Sequence, residues 1–481
     1  MRPGQGIYPQ AVGEYYTGMV NIVESTWKYR MFVGFAAVWL AAGLAFADSD
    51  AEAVKYWPQW RGPLYSGVAP HGKPPLKWSD TKNIRWKTPL PGSGHSTPII
   101  WGDYVFLTAA IPYGKAKSSQ EPEIDGVHDY EPASRAMEFV VIAIDRRSGT
   151  VLWRKTVRKA LPHEGAHYSG TMASNSPVTD GKHVYAFFGS RGLYCLNFRG
   201  EKKWEKDLGK MRIKHGHGEG SSPTIYGNSV IVNWDHKDQS FIIAIDKRTG
   251  KQLWKTKRDE VTSWSTPIVV KIDGKPQVIV NGTKRMRGYS LESGKVIWRC
   301  AGLSANIVAS PVYAGGVVYA GSSYVKRGMM AIRLSGAKGD ISSSKHVLWR
   351  YRYGAPYVPS LLLYGDGLYF LNHYQPVLSR LDVKTGKEPE GPYRLYGLRN
   401  IYASPVGAEG RVYITDRSGA TLVISNDKTM KILATNRLGE SVNASAAIVG
   451  TDLFLRGDRH LFCISEQRKP KAPTTAPSAP R

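Results

Sequence analysis

The stretch AIDKRTGKQLW (residues 244–254) decides the fold, because AIDRRSGTVLW (143–153) nearly repeats it. Each reads as strand, turn, strand. Apolar residues alternate up to Asp246, Lys247 to Gly250 make the turn, and a second short strand ends on Trp254. An aspartate opening such a turn accepts hydrogen bonds from the amides that follow it, and a glycine closing it takes the positive φ the loop requires. Asp145 with Gly149, and Asp382 with Gly386, repeat the arrangement. The tryptophan is large, flat and partly polar, suited to wedge between neighbouring sheets. Further relatives are GYSLESGKVIW (288–298), RLDVKTGKEPE (380–390) and the shortened CLNFRGEKKW (195–204).

A second element precedes each of these. It runs serine, usually a proline one or two residues later, a few apolar residues, a glycine turn and a strand ending in an aromatic, as in SPVTDGKHVYAF from residue 176. Ser96, Ser176, Ser222, Ser265, Ser310, Ser360, Ser404 and Ser445 open it, and after the first interval they lie 41 to 50 residues apart. A period near 45 residues with about four strands per unit is propeller spacing. The longer first interval carries its surplus in IPYGKAKSSQEPEIDGVHDYEPASRA (111–136), read as an inserted loop, either plain surface elaboration or a lid over one face. The last unit lacks a terminal strand, and NIRWKTPL (83–90) is a strand without a preceding start. The expected fold is therefore all-β: an eight-bladed β-propeller of four-stranded antiparallel blades, its ring closed by the N-terminal strand.

Four segments follow. Residues 1–47 read as an N-terminal extension and signal peptide, with Lys28 and Arg30 ahead of the apolar run 31–44 and small residues Ala45 and Ala47 at a cleavage site. That run is short against the about 20 residues of a membrane span, so a retained anchor is the alternative. Residues 48–82 lead into the ring, 83–465 form it, and 466–481 are a disordered, proline-rich basic tail. Periplasm or cell envelope is the expected location.

The chain carries a formal charge of +26, which favours anionic partners. Export turns that preference from nucleic acid towards envelope proteins, acidic glycans and lipid head groups, unless the cations simply solvate the surface. A monomer is expected. Cys195, Cys300 and Cys463 are odd in number and far apart, which excludes a disulfide framework and makes them small core residues.

Strands opening at the serines would line the central channel, and the residues before them would ring one mouth: His95, Asn175, Glu219, Trp264, Asn306, Tyr357, Tyr402 and Asn443. Trp264 could stack on a planar ligand, and Glu219 and Asn306 could offer oxygens to a hard cation. The plain alternative is that they bond to one another and to channel water. His163, His167, His215, His217, Asp235 and His236 cluster in one third of the chain at spacings that can serve a transition metal if their loops converge. Arg258, Lys284 and Arg285 form either an anion-binding rim or carboxylate pairs between blades.

The A-[IL]-D-x-x-[TS]-G-x-x-[LI]-W element resembles the repeat of the pyrroloquinoline quinone (PQQ)-like β-propellers. That superfamily holds quinoprotein alcohol dehydrogenases and the propeller lipoprotein of the outer-membrane β-barrel assembly machinery. The likeness covers about residues 57–465. It implies the propeller fold; the expected function is a non-catalytic binding or interaction scaffold of the envelope, with a PQQ-dependent oxidoreductase as the alternative. A binder of acidic glycans is a third. The dehydrogenases set a pair of adjacent cysteines against PQQ and hold Ca²⁺ with a Glu, an Asn and an Asp; no adjacent cysteines exist here. The assembly lipoproteins carry a lipidated cysteine where this chain has Asp48.

Overall fold

A computed structural model describes residues 51–116, 124 and 126–466. The readings of residues 1–47 and of the tail beyond 466 lie outside the described residues.

Eight sheets, each with four antiparallel strands and one with a fifth strand added, follow one another along the described chain as the blades of a propeller. Their innermost strands are Ile99–Trp101, Val178–Thr179, Thr224–Tyr226, Ile268–Ile272, Val312–Ala314, Leu362–Tyr364, Val406–Ala408 and Ala447–Val449. Blade 8 takes its outer strand from the opposite end of the chain. Ile84–Pro89 pairs antiparallel with His460–Ile464 and completes the sheet. Among the described residues no helix is long and apolar enough to cross a membrane. Cys195, Cys300 and Cys463 are buried and unpaired.

The repeat hairpin folds as its chemistry requires. In blade 3, Asp246 Oδ1 accepts from the amides of Arg248 (3.0 Å) and Thr249 (2.9 Å), and Gly250 sits at φ 72°. Its tryptophan works across blades. Each indole Nε1 donates to a hairpin carbonyl of the next blade: Trp86 to Arg146, Trp153 to Phe198, Trp204 to Lys247, Trp254 to Leu291 and Trp349 to Val383, at 2.7–3.1 Å. The ring lies over the glycine of that same hairpin. A Cβ on Gly149, Gly200, Gly250, Gly294 or Gly386 would stand 2.4–2.9 Å from it. The glycine is thus doubly required, for its positive φ and for the indole above it. Trp298 departs from the pattern and donates to Gln277 of its own blade, 3.0 Å. The excursion after Gly328–Arg333 instead lays Gly339–Asp340 parallel to Val296–Cys300 as a fifth strand of blade 4.

Residues ahead of the ring do more than lead into it. The stretch from Trp57 to Lys73 crosses the channel floor, bonding in blades 1, 2, 3, 6 and 7 to the second residue of the inner strand. Trp57 exchanges backbone bonds with Ile100, Thr179 N–H donates to the Pro58 carbonyl, Leu363 N–H to Ser66, and Ala69 N–H to Gly407. Tyr65 hydroxyl reaches the Ile225 carbonyl at 3.4 Å, and Lys73 N–H reaches Gly450 in blade 8 at 2.7 Å.

Candidate binding site at the channel mouth

At the centre of the ring the blades are stitched by hydroxyls. The amide of Thr97 donates to Ser176 Oγ, Ser176 to Ser222, Ser222 to Thr266 Oγ1, Thr266 to Ser310, Ser310 to Ser360, Ser360 to Ser404 and Ser404 to Ser445, all at 2.9–3.0 Å. This belt shifts two of the expected starts by one residue. In blades 1 and 4 the belt position is Thr97 and Thr266, not Ser96 and Ser265. In blades 1 to 5 and 7 the belt residue is the one directly before a proline, which holds its predecessor extended.

Side chains of an extended strand alternate in direction, which sorts the neighbours of the belt. Residues two before it line the cavity: His95, Trp264, Tyr402 and Asn443, together with Ser174, Gly220, Val308 and Val358. Residues one before it, among them Ser96, Asn175, Ser221 and Ser265, are buried between blades. The Asn175 side chain donates to the Ser221 carbonyl at 2.6 Å. The cavity holds about 410 Å³, and Trp60 forms its floor, its indole donating to Ser310 Oγ at 3.3 Å.

Glu219 and Tyr357 also reach the cavity wall, from loops above the strands. Glu219 accepts from the Ser190 amide (2.6 Å) and hydroxyl (2.5 Å) and pairs with Arg191 at 3.0 Å. Asn306 lies outside the lining, where its Oδ1 accepts from Lys214 Nζ at 3.0 Å. Both oxygen donors proposed for a cation are therefore taken by protein donors.

One wall is an aromatic arc. Tyr357 stacks on His373 with centroids 4.6 Å apart and planes at 10°, Tyr324 lies 5.6 Å from Tyr357, and Tyr374 meets Tyr402 edge-on at 5.8 Å. Arg417 lies 4.7 Å over Tyr402 and donates to Asn443 Oδ1 at 2.9 Å.

The opposite wall gathers imidazoles. His167 and His217 line it with His128 from the inserted loop, and His215 packs behind against His128 and His217, with neighbouring centroids 4.6–5.3 Å apart. Sequence reading missed His128; it is the one histidine of the insert. The insert reaches the mouth because Tyr130–Glu131 pairs with Ala166–His167. His163 is drawn away by the Met211 carbonyl (2.7 Å), and His236 accepts from the Arg212 amide (3.2 Å). Asp235 is bound twice by the buried Arg258, at 2.7 and 3.0 Å. Among the described residues no three His, Cys, Asp or Glu side chains are disposed to hold a metal ion.

The three cations expected at a rim are not brought to the cavity. Arg258 lies wholly buried against Asp235 and Tyr289. Lys284 and Arg285 donate their backbone amides to Glu260, at 2.8 and 3.0 Å, and Glu260 also pairs with Arg287.

Burial pushes His217 down to about 4, with His167 adding to the effect, and burial with Arg456 and Arg417 pushes His95 down to about 3. In the unfolded chain each would take its proton near 6.5. The unfolded state therefore binds more protons below that value, so stability is intact above pH 6.5 and is lost as pH falls towards 4. Melting curves should show the midpoint falling between pH 7 and pH 4, with a smaller fall in His217→Gln; equal falls would contradict this account.

Residues 137–389 and 238–469 match the sequence profile of a family described as outer membrane protein assembly factor BamB. The chain belongs to this family. Among solved structures, a computationally designed protein, Ika8, is similar at 11% identity and TM-score 0.50, covering 78% of this chain and 99% of its own. BamB from Moraxella catarrhalis is similar at 13% identity and TM-score 0.48, over 76% of this chain and 99% of that one. The quinohemoprotein alcohol dehydrogenase of Comamonas testosteroni is similar at 10% identity and TM-score 0.48, over 88% and 83%. No curated protein sequence matches the chain.

The PQQ and Ca²⁺ implied by the repeat's resemblance to the PQQ-like propellers do not fit the residues this BamB-family chain sets around its cavity. The three cysteines are buried in the blades rather than adjacent, and Glu219 and Asn306 are already bonded to Arg191 and Lys214.

Proposed function

We propose that the protein is an exported, non-catalytic propeller of the cell envelope that binds its partner at the channel mouth. The observation that carries this reading is the pairing of Glu219 with Arg191 and Ser190 beside an open aromatic cavity. The wall offers surface for contact, while its best candidate for acid–base or cation chemistry is spent on holding two loops together. Exposed apolar groups at the mouth support a binding face: Tyr168 of the cavity lining is 52% exposed, and Val325, next to the lining residue Tyr324, is 68% exposed. The BamB family description supports protein partners in the envelope, and the basic apolar run of residues 28–47 supports export.

Cell fractionation combined with a dye-linked alcohol oxidation assay, with PQQ and Ca²⁺ added, tests the proposal. The full chain should appear in the envelope fraction and give no alcohol-dependent dye reduction. Cytoplasmic residence, or reduction that depends on added PQQ, would refute it.

A further inference from the structure

The cavity wall has a definite chemistry. It combines ring faces, hydroxyls and compensated charge. Trp264 is held by a 2.7 Å bond from its indole to the Gly218 carbonyl, and it faces a cavity whose other side is the Tyr357 arc. Below them, each belt serine has its oxygen fixed by an amide of the preceding blade. The hydroxyl protons of Ser222, Ser360, Ser404 and Ser445 make no further protein hydrogen bond among the described residues. A hydroxyl held through its oxygen still has a proton to donate, and several on one ring suit a ligand bearing many acceptors.

Charge selects among such ligands. No lysine or arginine is among the described residues lining the cavity, Glu219 is neutralised by Arg191, and Asp129 sits at the exposed edge. A free anion would find no uncommitted cation on the wall, since Arg417 is stacked over Tyr402 and bonded to Asn443, and a free cation would find no unspent buried carboxylate. Size points the same way. The floor is shut by Trp60, and about 410 Å³ falls in the range of small-molecule sites, roughly 300–1,000 Å³.

We propose that the cavity is a saccharide site for a short uncharged sugar, its ring faces packed between Trp264 and Tyr357 and its hydroxyls bonded by the belt. The apolar C–H faces of a pyranose match aromatic rings, and its hydroxyl edge matches a circle of serines. This rests on the mouth being the binding face, and the test keeps the two separable.

The full chain is titrated with cellobiose, maltose, chitobiose and lactose, and with glucuronic and galacturonic acid, followed by tryptophan fluorescence and calorimetry. At least one neutral disaccharide should bind saturably. Trp264→Ala and Tyr357→Ala should weaken it roughly tenfold or more, while Tyr357→Phe, which keeps the ring face, should stay within about threefold. Melting curves identify any variant that fails to fold, and Tyr357→Phe gives a second, milder comparison. No binding by any neutral sugar, binding by the uronic acids alone, or undiminished binding in folded Tyr357→Ala would overturn the proposal. If the sugars fail while envelope partners still cross-link at the mouth, the saccharide site falls and the binding face stands.

Discussion

Replacing Asp235 with alanine is expected to destabilise the protein by about 3–5 kcal/mol, the cost of leaving a buried charge without its partner. The Arg258 side chain is completely buried, and Asp235 meets its Nε at 2.7 Å and a terminal nitrogen at 3.0 Å. Ser263 Oγ (2.6 Å) and Asn233 Nδ2 (3.3 Å) complete the carboxylate, while Tyr289 hydroxyl takes another guanidinium N–H at 2.6 Å. Removing the carboxylate strands a cation between blades 3 and 4. The double variant Asp235→Ala, Arg258→Met removes both charges and should recover much of the loss. Urea unfolding of both variants checks this, and a single-variant loss under about 1 kcal/mol, the scale of an exposed pair, would contradict it.

The second large effect concerns the lock between blades. Trp254→Ala is expected to cost about 3–5 kcal/mol, the range for truncating a buried aromatic. The indole bonds to Leu291 O at 2.7 Å and lies where a Cβ on Gly294 would stand 2.5 Å away, so its loss opens a void between blades 3 and 4 and orphans a carbonyl. Gly294→Val attacks the same lock from the other side, forcing a β-branched residue to φ 68° beneath the ring. Thermal unfolding should show both midpoints well below that of the parent. If both variants melt like the parent, the tryptophan is not an inter-blade wedge.

These two contacts show where sequence reading works and where it stops. Asp246, Gly250 and Trp254 were legible as a hairpin because the turn's needs are local. The partner of Trp254 was not, since Gly294 lies in the next blade and no single hairpin shows it. Blade number and closure by Ile84–Pro89 were legible because serine spacing and an unmatched strand are properties of the whole chain. At the mouth, His95, Trp264, Tyr402 and Asn443 fall two residues before the belt and do line the cavity, whereas Asn175, one before it, turns between blades. Strand alternation is the missing signal, usable once proline fixes the belt register. Two features stayed hidden because they depend on contacts distant in sequence. His128 arrives on an insert that pairs with Ala166–His167, and residues 57–73 shut the channel floor. The tryptophans Trp57 and Trp60 were the clue to the latter, being costly residues for a mere lead-in.

Photo-cross-linking in cells tests most directly whether the mouth is the face that binds. A photoreactive amino acid is placed at Tyr168, in the cavity lining and 52% exposed, or at Ile432, on an outer strand of blade 7 and 60% exposed. The account predicts discrete envelope adducts from position 168 and none from 432. Equal labelling at both positions, or adducts from the outer strand alone, would contradict it.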